Sequence, residues 1–161
     1  MKYLLIFIML FKISFSLPVE GISWRMTKEE VESSFPAMKK LSFDEDEEVY
    51  RAEERVHRDI AFYDFLFYRG RLIQVTISNK YLRQNESLSR HLLDIIDEEY
   101  TFTSIRTDFI KEDGRIKEVQ EYYGISEDGE SHLIIKVDLI KGKHINTFIF
   151  TDYSFIVENG G

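Results

Sequence analysis

The sequence predicts an α+β fold in which short helices pack on one face of an antiparallel β-sheet, and three observations carry that reading. Two segments, starting near Thr27 and near Asn85, place apolar residues at helical spacing. Most of the remaining chain alternates between apolar runs and short turns: Arg69-Gly70-Arg71, Glu112-Asp113-Gly114-Arg115, Ser126-Glu127-Asp128-Gly129 and Lys141-Gly142-Lys143. Such turns join neighbouring antiparallel strands. The order is helix, strands, helix, strands, with no long linker, as expected of meanders rather than parallel crossovers. It suggests two tandem helix-plus-meander units, at residues 21–78 and 85–156.

Residues 1–16 are set apart as a leader. Lys2 gives a short positive start, Tyr3 to Phe11 is an apolar run, and Ser14-Phe15-Ser16 supplies small residues at the −3 and −1 positions of a cleavage site. This is the plan of a secretory signal peptide, with cleavage expected after Ser16. The apolar run is about half the ~20 residues of a spanning helix, so no stable membrane span is expected after cleavage. Removing 16 of 161 residues leaves 145, and the loss of Lys2 and Lys12 moves the formal charge from −8 to −10. That length suits one domain, residues 17–161, with a sizeable core.

The folded chain starts with a capping box. Thr27 and Glu30 have the Thr-x-x-Glu spacing, and Met26 and Val31 stand where a hydrophobic staple would close the first turn. The helix runs to about Ser34 and stops before Pro36, because the residue preceding a proline avoids helical backbone. Ala37 to Phe43 is read as a second helical turn. The acidic run Asp44 to Glu48 lacks the glycine turn and spaced ligands of a calcium loop and is read as a solvated loop.

Residues 49–58 are read as an edge strand. Ile60 to Tyr68 and Leu72 to Ser78 form an aromatic-rich hairpin whose turn needs positive φ at Gly70. Asp64, within that aromatic run, is expected to be a hydrogen-bonded carboxylate on a strand face. The second helix, capped at Asn85, runs to Glu99 with a stripe of Leu88, Leu92, Ile95 and Ile96. Strands follow at 103–110, 116–123, 131–140 and 145–154, and the tail from Glu158 is expected to fray.

Gly21-Ile22-Ser23-Trp24-Arg25-Met26-Thr27-Lys28-Glu29-Glu30-Val31 resembles the Gly-Met-Thr-x-x-x-Val entry of the SmpA/OmlA lipoproteins of outer-membrane barrel assembly. It is also similar to small exported domains shaped like the β-lactamase-inhibitor protein. The matching residues are Met26, Thr27, Glu30 and Val31, with Trp24 beside them. The chain departs from the SmpA/OmlA pattern by having no cysteine and by carrying Arg25 where that motif has glycine. The resemblance implies helices on an antiparallel sheet, sometimes twice in tandem, and protein binding without catalysis.

The absence of cysteine excludes disulfides, thiolate chemistry and lipidation at cysteine. The net acidity argues against nucleic acid, whose phosphates require Lys and Arg. His57, His91, His132 and His144 have no metal-binding spacing; His91 is read as partly buried in the second helix, and His132 and His144 as surface residues at strand starts. No nucleophile elbow, phosphate loop or dinucleotide fingerprint occurs, so no cofactor is expected. The expectation is an exported, non-catalytic interaction module of the bacterial envelope, in the periplasm or secreted. Its expected partner is another envelope or secreted protein. Trp24, Phe62, Phe65 and Phe67 are the candidate binding residues, since aromatic side chains give large contact areas at low ordering cost. Of these, Trp24 reads first as a core anchor and only second as a binding residue. Two alternatives stay open. One is a carrier of a small apolar ligand or lipid, in a pocket lined by residues such as Phe62, Phe65, Leu92 and Ile96. The other is a hydrolase with a dispersed acidic site.

Overall fold

The computed structural model describes residues 17–56, 59–79, 86–112, 115–140 and 143–159. Helix α1 (Lys28–Ser34) leads into strands β1 (Lys39–Phe43), β2 (Glu47–Val56), β3 (Asp59–Tyr68) and β4 (Arg71–Asn79). Helix α2 (Glu86–Glu99) then leads into β5 (Tyr100–Glu112), β6 (Arg115–Ser126), β7 (Ser131–Ile140) and β8 (Lys143–Asp152), with a last helix α3 (Tyr153–Glu158). The fold is α+β: a single eight-stranded antiparallel sheet, in the order β1-β2-β3-β4-β8-β7-β6-β5, with a few short helices. Both sets of four strands are meanders, and they meet where β4 pairs with β8.

The local chemistry at the start of α1 is the one the sequence dictates. The Thr27 hydroxyl accepts from the backbone N–H of Glu30 at 3.3 Å, and the Glu30 carboxylate accepts from the N–H of Thr27 at 2.7 Å. Both halves of the capping box are therefore closed. The chain leaves the helix at Phe35, ahead of Pro36. Asn85, the expected cap of α2, lies outside the described residues.

Cross-strand register shows how the core is built. Tyr122, Ile135, Phe148, Ile77, Tyr63 and Ala52 stand opposite one another across five successive strand pairings. A second row runs Gly124, Leu133, Phe150, Val75, Phe65 and Tyr50. Side chains of one row share a sheet face. Val31 of α1 and Leu88, Leu92 and Ile96 of α2 join these rows in one buried cluster. The two longer helices thus cover one face. Leu17, Val19 and Ile22 belong to the same cluster, so the segment before α1 is part of the core.

Four expectations are corrected. Ala37 to Phe43 does not form a helical turn; Lys39 to Phe43 is strand β1, pairing with β2 around a bulge between Lys40 and Ser42. Its five side chains are all exposed, so no burial periodicity marks it in the sequence. Residues 49–58 are not at an edge: β2 lies between β1 and β3. The acidic run is only partly loop, since Glu47 and Glu48 open β2. The last strand stops at Asp152, whose carboxylate accepts from the N–H of Phe155 and caps α3. Phe155 of that helix meets Tyr68 edge to face at 5.2 Å. Among the described residues, no helix is long and apolar enough to cross a membrane.

Candidate interaction surface

The four aromatic residues singled out from the sequence do not share one surface. Phe65 and Phe67 are fully buried under the helices, which removes them from any surface open to a partner in this conformation. Phe62 points to the opposite face, with the Arg51 guanidinium 4.2 Å above its ring. Trp24 is partly buried against the core, and its indole N–H donates to the Ser131 hydroxyl at 2.8 Å. It anchors the segment before α1 onto the second meander. Beside it, Arg25 pairs with the Asp152 carboxylate, which is almost wholly buried. The backbone N–H of Arg25 also donates to the carbonyl of Leu72 at 3.0 Å, and Leu72 donates back to Met26 at 2.9 Å.

Asp64 takes a structural part. It accepts two hydrogen bonds from Arg51, at 2.6 and 2.7 Å, from the position directly opposite on β2. The Asp64 contact is also the main reason the guanidinium is held more firmly protonated than usual. Burial pushes the Tyr63 hydroxyl up to about 12, with a smaller push from Glu54. Of the residues expected to line a carrier pocket, Phe65, Leu92 and Ile96 are buried in one cluster with Phe148 and Phe150, whereas Phe62 lies on the opposite face of the sheet. A cavity of about 290 Å³ lies instead at the domain's start, beside Val19, Phe35, Val56, Tyr63 and His91. His91 is exposed there, which corrects its reading as partly buried. His57 and the side chain of His144 lie outside the described residues. His132, in β7, is half-buried between Tyr123 and Tyr153, and burial lowers its pKa. Among the described residues, no group of three or more acids and histidines is placed to hold a metal ion.

The free surface lies elsewhere, on β5, and sequence reasoning missed it. Phe102 pairs with Gly124 and Ile105 with Tyr122, so both stand on the helix-bearing face. Phe109, four residues after Ile105, shares that face. The helices leave this wing of the sheet open: Phe102, Ile105 and Phe109 are 40%, 65% and 71% exposed. Phe102 lies over Gly124, where an added Cβ would stand 3.5 Å from its ring. This aromatic shielding of a glycine holds the start of the apolar row flat against β6. On the other face of β5, Ile110 is 49% exposed and Arg106 bonds Asp108 at 2.9 Å. The sequence hides this surface: Phe102 and Ile105 are three residues apart and share a face only through the bulge between Phe102 and Ser104, and the even spacing of Ile105 and Phe109 reads equally as a buried strand face.

Two polar clusters flank the sheet end near Trp24. A shallow cavity of about 260 Å³ is lined by Arg25, Arg69, Arg71, Tyr68 and Phe155, with Glu158 at its rim. All three guanidiniums are engaged, Arg25 with Asp152 and Glu158, Arg69 with Asp46, and Arg71 with the carbonyl of Arg25 at 3.2 Å. Near the end of α2, the Glu99 carboxyl has its pKa raised, first by burial and then by repulsion from Asp128, Glu98 and Glu127. Its Oε2 is buried without a hydrogen-bond partner among the described residues.

No family model matches this chain, and no curated protein sequence matches it. Among solved structures, the chain is similar to a cysteine-rich secretory protein of Staphylococcus aureus, with a TM-score of 0.41 and 13% identity. The similarity covers 82% of this chain and 45% of that one, so the present chain spans less than half of its length.

Proposed function

We propose that the protein is an exported, non-catalytic interaction module of a bacterial cell envelope. In this reading the leader at residues 1–16 delivers it, and it binds another envelope or secreted protein through the open, helix-bearing face of β5. The observation that carries this reading is the exposed row Phe102, Ile105 and Phe109, on the same sheet face as the buried core. Exposed apolar residues that continue a core face are costly in water and gain by being covered. In the same reading, residues 21–78 and 85–156 are two tandem helix-plus-meander units joined through β4 and β8. The like order of their elements supports this, as does the seam between their last strands.

The test is capture in the native envelope from the full-length chain with a C-terminal tag, after mild crosslinking. The expected result is one protein retained in near-equal amount and lost with Ile105→Asp and Phe109→Asp variants that keep the wild-type melting temperature. N-terminal sequencing of the captured chain is expected to begin at Leu17. Capture that ignores both substitutions, or an eluate without a stoichiometric protein, would overturn the reading.

A further inference from the structure

We infer that the first partner of the β5 surface is a second copy of the chain, which adds its own β5 antiparallel across a two-fold axis at Thr107. The inference rests on reading β5 as an interaction surface, and it names the occupant of its edge. β5 is the last strand of the sheet order, so among the described residues one side of its backbone faces no strand. An open edge of thirteen residues, with exposed side chains from Thr101 to Thr107, is a template for strand addition.

The residues of β5 select both the occupant and the register. When a strand pairs with its own copy about a two-fold axis normal to the sheet, the positions facing each other have a constant sum, and both copies turn the same face outward. Centring on Thr107 sets Arg106 opposite the copy's Asp108, twice. It also sets Ile105 opposite the copy's Phe109, twice, and Ser104 opposite Ile110. Moving the axis one residue back opposes Arg106 with Arg106, and moving it one residue forward opposes Asp108 with Asp108. Opposite charges and aromatic–aliphatic pairs directly across a ladder are favourable, whereas like charges are unfavourable. The bulge between Phe102 and Ser104 interrupts the strand just before this window, leaving Ser104 to Ile110 regular on both copies. The charged pairs lie on one face and the apolar pairs on the other. Pairing therefore joins the two rows of Phe102, Ile105 and Phe109 into one wider apolar platform on the helix-bearing side.

Sedimentation of the purified full chain over a concentration series tests this, alongside cysteine crosslinking in a protein that has no cysteine of its own. Wild type is expected to show a concentration-dependent dimer. Arg106→Glu and Asp108→Arg, each placing like charges across the axis, are expected to weaken it by roughly tenfold, and the double exchange to restore it. Thr107→Cys places two thiols on the axis, with Cα atoms about 4.5–5.5 Å apart, within disulfide reach. It is expected to oxidise to a covalent dimer, and Ser104→Cys is not. Equal crosslinking at both sites, or failure of the double exchange to restore association, would overturn the register and the proposal with it. A monomeric wild type that still captures a partner sensitive to Ile105→Asp would overturn the dimer and leave the interaction surface standing. A monomeric wild type that captures nothing would remove both.

Discussion

At the scale of single residues, the turn at Arg69-Gly70 shows what the sequence specifies and what it conceals. A hairpin with positive φ at glycine is legible from Arg-Gly-Arg between apolar runs. In the structure Arg69 is left-handed too, at φ 48° beside 74° for Gly70, the signature of a type I′ turn. Arginine gives no hint of that, because its side chain has no preference for such backbone. Arg69→Asn is expected to stabilise the protein by about 0.5–1 kcal/mol in urea denaturation, since asparagine tolerates this conformation. The exposed pair it removes with Asp46 contributes little. Asp152 is the opposite case, invisible in sequence as one acid among many. Its buried carboxylate accepts from Arg25, from the Ser154 hydroxyl at 2.6 Å and from the N–H of Phe155 at 3.1 Å. Asp152→Ala is expected to cost about 2–4 kcal/mol, by uncapping α3 and stranding Arg25.

Glu99 gives a pH-dependent prediction. Its folded pKa is raised, so the folded state carries a penalty for ionisation that is absent below the unfolded carboxylate pKa, grows as pH rises from there to the folded one, and is full above it. Glu99→Gln is therefore expected to melt higher than wild type at neutral pH, with the gap closing as pH falls below the ordinary carboxylate range. A gap that persists in acid would assign the effect to packing instead.

At the scale of elements, legibility follows burial. α1 was readable because its cap, its staple positions and its proline stop are all local in sequence. Thr27→Ala should lower stability by about 1 kcal/mol, measured by urea denaturation, through loss of the bond to the N–H of Glu30. The inner strands were readable because their alternation reports a buried face, as Leu133, Ile135 and Val137 do in β7. β1 was not readable, since Lys39-Lys40-Leu41-Ser42-Phe43 buries nothing and is held by backbone pairing to β2. α3 was concealed for another reason. Tyr153, Phe155 and Val157 keep a period-two apolar spacing, on the face opposite Phe148 and Phe150, and only the Asp152 side chain folding back onto the next turn shows that the strand has ended. The candidate site suffered the same ambiguity. Phe65 and Phe67 on one strand, two apart, and Ile105 and Phe109 on another, four apart, both have the even spacing of one strand face, yet the first pair is buried and the second exposed.

At the scale of the whole molecule, the sheet order decides which strands are edges, and no local pattern encodes it. Gln74 faces Thr151 across the seam between β4 and β8, a pairing of segments 77 residues apart. Trp24 crosses a wider span still, to Ser131, and it is the only tryptophan in the chain. Trp24→Phe keeps the ring packing and loses the bond, so it should cost about 1 kcal/mol. In wild type, indole fluorescence and far-UV circular dichroism should report one coincident unfolding transition. Separate midpoints would show that the two halves unfold independently. The seam also has a consequence for biosynthesis. The strand made last is one of the middle strands of the finished sheet, so a growing chain finishes β4 and then waits for the residues that will cover its edge. At about 5–20 residues per second that wait is roughly 4–15 s. The first four strands share their core with Phe148 and Phe150, so that half of the sheet stays unfinished, and its edge must be kept from other chains, until β8 arrives.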